Sequence, residues 1–213
     1  MTIALPAAPQ AAPRRQLFVA TALACASAFM IIIGMVAMWM KFRAGAPTRD
    51  SADGLYVIKD WLPASITIPE VAANVMLTTF PVVALMAQWA SYSAKRRDSQ
   101  HRSLALAICA VLGIAVVNCQ AAIYAQMEIG LADGAYQTMF YAITGAMLLL
   151  VVGGIVFSFV ALFRSVGGRE DDTDVVNSHA LYWYFLTAAF TVLWFLCTYR
   201  SRSTCLLLAP NTL

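Results

Sequence analysis

Five long stretches of this 213-residue chain contain no Asp, Glu, Lys or Arg. They run over Leu17–Met40, Val71–Ala94, Ser103–Met127, Gly134–Phe163 and Ala180–Tyr199. A helix that rises 1.5 Å per residue needs roughly 20 residues to cross a hydrocarbon core of about 30 Å, so each stretch is long enough. Charged residues make up 12% of the chain, against about 25% in soluble domains. The lack of charge excludes an ordinary soluble fold and predicts an all-α, polytopic membrane bundle of five transmembrane helices.

Residues that bind metals and haem are also scarce. The chain has only two histidines, His101 and His179, at span ends beside charged loops, whereas a membrane haem needs two imidazoles facing each other at depth. Five cysteines form no C-x-x-C pair, and four of them lie in apolar spans: Cys25, Cys109, Cys119 and Cys197. The spans offer no histidine cluster or buried acid for a copper or di-iron site, and no Asp, Glu or His for a proton relay. We therefore predict that no residue of this chain is catalytic, binds a cofactor or ligates a metal.

The distribution of basic residues predicts the orientation. Arg14 and Arg15 precede the first span, and the loop after the second span carries four basic residues: Lys95, Arg96, Arg97 and Arg102. The positive-inside rule places both segments in the cytoplasm, so the odd number of spans places the C-terminus outside. We expect a disordered cytoplasmic N-terminus over residues 1–15, one transmembrane domain over 16–200 and a tail over 201–213.

Small and polar residues in the spans indicate helix packing. Ala20, Ala24 and Ala28 recur every four residues, and Gly145, Gly153 and Gly154 offer the same close approach between helices. Six polar residues are expected to face protein, mostly through hydrogen bonds between helices, with substrate contact as the alternative: Asn74, Gln88, Asn118, Gln120, Gln126 and Gln137. The loops after the second span are short, which predicts that consecutive helices are neighbours.

The order of several segments resembles a known family, subunit III of the haem-copper cytochrome c oxidases, in its short five-helix bacterial form, with actinobacterial members the most similar. The resemblance runs from about Ala20 to Tyr199. It is carried by these segments: S-A-F-M-I-I-I-G-M-V-A-M-W-M-K-F-R at 27–43, D-W-L-P at 60–63, Q-W-A-S-Y-S-A-K-R-R-D at 88–98, N-C-Q-A at 118–121, G-A-Y-Q-T-M-F-Y-A-I-T-G at 134–145, V-G-G-I at 152–155 and L-Y-W-Y-F-L-T-A-A-F-T-V-L-W-F at 181–195.

The departures from the family pattern concern its buried ionisable residues. Apolar or neutral residues stand where the family has glutamate, histidine or aspartate: Ala28, Ile123, Met147, Leu150, Tyr184 and Thr187. The frame that packs the helices is kept, while the polar interior is lost. The chain is therefore interpreted as a divergent member.

The resemblance implies a non-catalytic subunit of a respiratory terminal oxidase in the bacterial plasma membrane. Such a subunit binds phospholipid between its helices and stabilises the metal-bearing subunit I, alongside subunit II, with haem and copper only in those partners. Three alternatives remain open: a stand-alone membrane scaffold or carrier derived from subunit III, an accessory subunit of a nitric oxide reductase, and an enzyme acting in the membrane.

Overall fold

A computed structural model describes residues 15–50, 57–59, 61, 69–127, 130, 134–168 and 173–196. The elements in chain order are α1 (Gln16–Ala44), β1 (Thr48–Asp50), β2 (Val57–Lys59), α2 (Glu70–Lys95), α3 (Ser99–Met127), α4 (Ala135–Val166) and α5 (Thr173–Trp194). Residues 1–14 and 197–213, which hold nearly all of the expected disordered N-terminus and the whole of the expected C-terminal tail, lie outside the described residues.

Four of the five helices are long and apolar enough to cross a membrane: α1, α2 from Val71, α3 and α4. The prediction of a helical membrane protein is thus confirmed. The described part of α5 does not meet the same criteria, so the prediction of a fifth span is not met there. The physical reason is that its first turns are polar, with Asp174, Asn177 and Ser178, and that its apolar part starts only at Ala180.

The connection from α1 to α2 contains a short hairpin that the sequence analysis did not predict. β1 and β2 pair antiparallel, with Thr48 opposite Lys59 and Asp50 opposite Val57. Three-residue strands of mixed polar and apolar residues give no alternating pattern from which a strand could be recognised.

The later helices pack as the short loops predicted. α2 lies against α3 and α5, α3 also contacts α4, and α4 contacts α5. α1 packs on α5 and α4 instead, because its long connection does not tie it to α2. The buried residues of α1 are Cys25, Ile32 and Trp39, which repeat every seventh position and define one narrow contact line.

The alanine stripe of α1 is not part of that contact line. Ala20 and Ala24 are exposed and Ala28 is half-buried, so the expected close approach at this stripe does not occur among the described helices. The glycines of α4 differ in their surroundings. A Cβ atom added at Gly145 would meet no atom within 4 Å, whereas one added at Gly154 would lie 3.2 Å from Trp183 and Leu186. The close crossing between α4 and α5 is therefore at Gly154.

The polar residues of the spans divide into two groups. Gln120 and Gln137 are buried, and Gln88 accepts a hydrogen bond from the Tyr184 hydroxyl at 3.2 Å, as expected of residues that face protein. The other three lie on outward helix faces and are exposed in the isolated chain, so the described helices do not cover them: Asn74, Asn118 and Gln126.

Candidate functional site

A partly open groove of about 90 Å³ lies between α2, α3, α4 and α5. It occupies the half of the bundle in which α3 ends at Met127 and α4 begins at Ala135, which we call the α3–α4 end. Its walls are mainly apolar and include Phe80, Val116, Ile123, Phe140, Met147 and Phe190. An apolar groove of this kind is suited to a hydrocarbon chain.

Three buried N–H groups at the α3–α4 end have no close hydrogen-bond partner among the described residues: Gln120 Nε2, Trp61 Nε1 and Trp194 Nε1. Gln120 and Trp194 line the groove, and Gln120 is only 6% exposed. The Tyr124 hydroxyl donates to Thr144 Oγ1 at 2.6 Å, because the Thr144 hydroxyl itself donates to the Phe140 carbonyl. The Tyr124 oxygen is therefore able to accept the N–H of the nearby Gln120 amide. Because an unsatisfied buried donor costs about 1–3 kcal/mol, the two indole N–H groups favour an acceptor from outside the described residues.

Three aromatic rings pack together beside the groove. The ring centroids of Trp39 and Trp61 are 5.1 Å apart, those of Trp39 and Tyr136 are 5.3 Å apart, and those of Trp61 and Tyr136 are 5.8 Å apart. Edge-to-face packing at these distances leaves no space between the rings for a cation. The cluster fixes the α1–α2 connection against α4 at the end of the groove.

A buried polar cluster lies at the opposite end of the bundle, where α2 connects to α3. Ser158 Oγ lies 2.7 Å from His179 Nε2, and the Trp183 indole N–H donates towards both, at 3.2 and 3.0 Å. Ser158 also donates to the Gly154 carbonyl at 2.9 Å. His179 was expected beside a charged loop, yet it is fully buried.

The serine and histidine of this cluster do not have the surroundings of a catalytic pair. Both side chains are 0% exposed. Within the described part of the chain His179 Nδ1 has no hydrogen-bond partner, so no acid there orients the imidazole as in a triad. With the Ser158 proton on the Gly154 carbonyl, the serine oxygen can accept from both His179 and Trp183. The arrangement therefore connects α4 to α5.

Arg102 is a second buried polar residue at this end. Its place beside three other basic residues predicts a solvated loop position, but it is 1% exposed. Its Nε donates to Ser165 Oγ at 2.7 Å, which joins α3 to α4. Arg102 stands four positions before the buried Leu106 on the same helix face, and extending that periodicity backwards would have revealed its burial.

The six positions that lack the family's ionisable residues do not form one site. Ile123 and Met147 line the groove, and Thr187 donates to the Phe80 carbonyl at 3.1 Å. Tyr184 is exposed, while Ala28 and Leu150 are half-buried. The neutral replacements thus either pack in the bundle or hydrogen-bond locally.

No three of the His, Cys, Asp and Glu residues within the described ranges are grouped so that they could hold a metal ion. The two histidines lie in separate environments, since His179 belongs to the polar cluster and His101 Nδ1 pairs with Asp98 at 2.7 Å. Neither imidazole faces the other as bis-histidine haem ligation requires.

These features define a helical integral membrane protein whose described side chains are arranged for packing and for contact with apolar molecules. The family model of cytochrome c oxidase subunit III matches residues 56–201, and the chain belongs to that family. The family match begins after α1. The resemblance predicted for the sequence of α1 is therefore not covered by the match.

Curated relatives share modest identity with the chain. Cytochrome c oxidase subunit 3 of Rattus norvegicus is 27% identical over 131 residues, which are 59% of this chain and 49% of the relative. The Danio rerio protein is 27% identical over 138 residues, 63% of this chain and 53% of the relative. The Tragelaphus imberbis protein is 31% identical over 97 residues, 46% of this chain and 37% of the relative. The chain spans about half the length of these relatives, or less.

Proposed function

We propose that the chain is a non-catalytic integral membrane subunit of a respiratory haem-copper terminal oxidase. In this role it stabilises the metal-bearing subunit I, assembles with a subunit II-like partner, and retains phospholipid, while haem and copper reside in the partners. Family membership over residues 56–201 supports the assignment to such a complex.

The observation that carries the stabilising role is the outward face of α3. Ala115, Asn118 and Ala122 follow one another along this face, and all three are exposed. At 1.5 Å per residue α3 is about 43 Å long. In an upright position centred on a hydrocarbon core of about 30 Å, each end of α3 projects roughly 7 Å beyond the core. Asn118 then lies about 7 Å inside the core, where an amide that faces lipid is unfavourable. Small residues around a central amide favour association with another transmembrane helix.

We further propose that α5 is a fifth span within a transmembrane domain over residues 16–200, and that the chain lies in the bacterial plasma membrane with its N-terminus in the cytoplasm. Lys95, Arg96 and Arg97 are exposed between α2 and α3, which supports a cytoplasmic position for that end. The α3–α4 end with its groove then faces outside.

Co-purification in a mild detergent tests the proposal. The affinity-tagged chain should bring down a haem-bearing complex, and Asn118→Leu should weaken this recovery several-fold because it removes the amide that a partner helix would pair. Asn74→Leu, an exposed polar residue near the start of α2, serves as the matched control and should leave recovery unchanged. Recovery of the chain alone, without haem absorbance, would contradict the oxidase role and favour the stand-alone scaffold or carrier.

A turnover assay tests the stabilising role separately. Deleting the gene should leave the initial oxidase activity of membranes nearly intact but make the activity decay faster during repeated turnover. An unchanged turnover life would contradict stabilisation of subunit I. Loss of nitric oxide reduction instead of oxygen reduction would favour the accessory subunit of a nitric oxide reductase.

A further inference from the structure

The outward side of α2 and α5 presents an uncharged face that contains one polar pair. We call it the α2–α5 face. It consists of Pro81, Leu85 and Gln88 of α2 with Tyr184 and Ala188 of α5, and all five residues are exposed. The three residues of α2 follow one another at helical spacing, which places them on one side of the helix. The Tyr184 hydroxyl donates to Gln88 Oε1 at 3.2 Å, so the polar pair joins the two helices at this face.

Gln88 lies at the depth of the hydrocarbon core. α2 has 26 residues and is about 39 Å long. In an upright position centred on a core of about 30 Å, each end of α2 projects roughly 4 to 5 Å beyond the core. Gln88 stands seven positions before Lys95, the last residue of α2, and therefore lies roughly 6 Å inside the core. An amide that faces lipid at this depth is unfavourable unless its polar atoms are paired.

The Gln88 amide is only partly paired. Its oxygen accepts from Tyr184 and keeps a second lone pair. Its nitrogen carries two N–H groups and donates to none of the described residues. The amide therefore offers a donor and an acceptor together to a molecule that packs on this face. Because the bond from Tyr184 already holds the amide in place, little side-chain freedom is lost on association.

A second amide satisfies a donor and an acceptor at the same depth. Copies of one chain enter the membrane in the same orientation, so a twofold axis that relates two of them runs along the membrane normal. Each residue near this axis meets its own counterpart at its own depth. Two Gln88 amides can then exchange reciprocal N–H···O bonds, and the small side chain of Ala188 allows the helices to approach.

We propose that two copies of this chain associate through the α2–α5 face, with the Gln88 amides of the two copies hydrogen-bonded to each other. The contact leaves the outward face of α3 with Asn118 open for an oxidase partner, so both associations are compatible, and within an oxidase it joins two complexes side by side. The inference goes beyond the proposed oxidase role and rests on it only in taking α5 as a membrane span.

Self-association of the full-length chain in phosphatidylcholine vesicles tests the proposal. Copies labelled at the N-terminus with a donor or an acceptor fluorophore are reconstituted together, and energy transfer is measured as the lipid content is raised. We expect transfer above that of random proximity, which disappears only on strong dilution. Gln88→Leu should weaken the association roughly 10- to 100-fold, because both reciprocal bonds are lost. Asn118→Leu removes an exposed amide from α3 and, as the matched control, should associate like the unmodified chain.

A second pair of variants tests the face independently of the amide. Ala188→Trp places a large ring on the α2–α5 face and should abolish the association. Ala122→Trp places the same ring on α3 and should leave the association unchanged. Since Ala188 and Ala122 are both exposed, thermal unfolding of the two variants in detergent should match that of the unmodified chain.

Energy transfer at the level of random proximity for the unmodified chain at every lipid content would overturn the inference, as would equal association of Gln88→Leu and the unmodified chain. Reduced haem recovery with Gln88→Leu in the co-purification experiment, together with a monomeric chain in vesicles, would assign the face to an oxidase partner and also overturn the inference. Because co-purification scores haem and energy transfer scores self-association, failure of the oxidase role and failure of this contact are distinguishable.

Discussion

The imidazole of His179 lies 2.7 Å from the hydroxyl of Ser158, with Trp183 Nε1 within 3.2 Å of the same oxygen. All three side chains are 0% exposed. This contact joins α4 to α5 in the half of the bundle where the polar first turns of α5 lie. A buried polar network is favourable only when its members are paired, so the fit of α5 against α4 depends on the serine oxygen.

Ser158→Ala should lower the stability of the detergent-extracted protein by about 0.5–1.5 kcal/mol, because it removes the hydroxyl that pairs with His179 and Trp183 and leaves only the contact between those two side chains. Thermal unfolding followed by intrinsic fluorescence measures the change. Ser27→Ala is the control, since Ser27 is exposed and donates only to carbonyls of its own helix. Equal unfolding temperatures for the two variants would refute the role of this network.

Gly154→Leu should destabilise the bundle by about 1–3 kcal/mol through overpacking, because even a Cβ at this position would lie 3.2 Å from three side-chain atoms of α5. Gly145→Leu is the matched control on the same helix and should be tolerated, as its surroundings are open within 4 Å. Yield and unfolding temperature in detergent provide the comparison. Similar losses in both variants would show that glycine matters for a reason other than this crossing.

The number and approximate ends of the helices could be predicted from the sequence, because a charge-free run of membrane length has few alternatives to a helix. Gln120 and Gln137 were correctly expected to be covered by neighbouring helices of the chain, but nothing in the sequence showed that Asn118 lies on an exposed face of α3 instead. An alternating or heptad pattern is weak where every face of a helix is apolar, since lipid and protein contacts select similar residues.

The candidate site could be predicted less well. No pattern in the sequence shows that Gln120 and Trp194 line the same groove. They lie on helices that are distant in the chain, and only tertiary packing brings these helices together. Arg102 was misplaced because a cationic residue next to a basic loop is normally solvated. In the structure Arg102 is buried and donates a charge-assisted hydrogen bond to Ser165. Composition alone does not reveal such a contact.

Ser165→Ala should destabilise the protein by about 1.5–3 kcal/mol, because hydrogen bonds to a buried charged group are stronger than those between neutral groups. Ser103→Ala provides the comparison, since its hydroxyl donates only to the carbonyl of Gln100 on its own helix. Chemical or thermal unfolding in detergent measures both. If Ser165→Ala matched Ser103→Ala, the contact between Arg102 and Ser165 would carry no net stability.

The loop between α2 and α3 gives a pH-dependent prediction. Asp98 directly precedes α3, and its carboxylate accepts the backbone N–H of His101 at 3.2 Å, the geometry of a helix N-cap. This backbone hydrogen bond, helped by the His101 side chain at 2.7 Å, lowers the pKa of Asp98 from its ordinary value of 3.8. A carboxyl group with a lower pKa in the folded state stabilises the fold when it is ionised.

The lowered pKa of Asp98 determines how the stability of the fold changes with pH. The stabilisation by Asp98 is complete above the ordinary pKa of 3.8 and is lost as the pH falls through the lower pKa of the folded state. Asp98→Ala should therefore unfold at a slightly lower temperature than the unmodified protein at pH 7, and the difference should shrink below pH 4. Asp98→Asn keeps a capping acceptor without the titration, so its difference from Asp98→Ala should stay nearly constant with pH. A gap between the unmodified protein and Asp98→Ala that widened on acidification would mean that the carboxylate is destabilising in the fold, which is incompatible with an N-cap at this position.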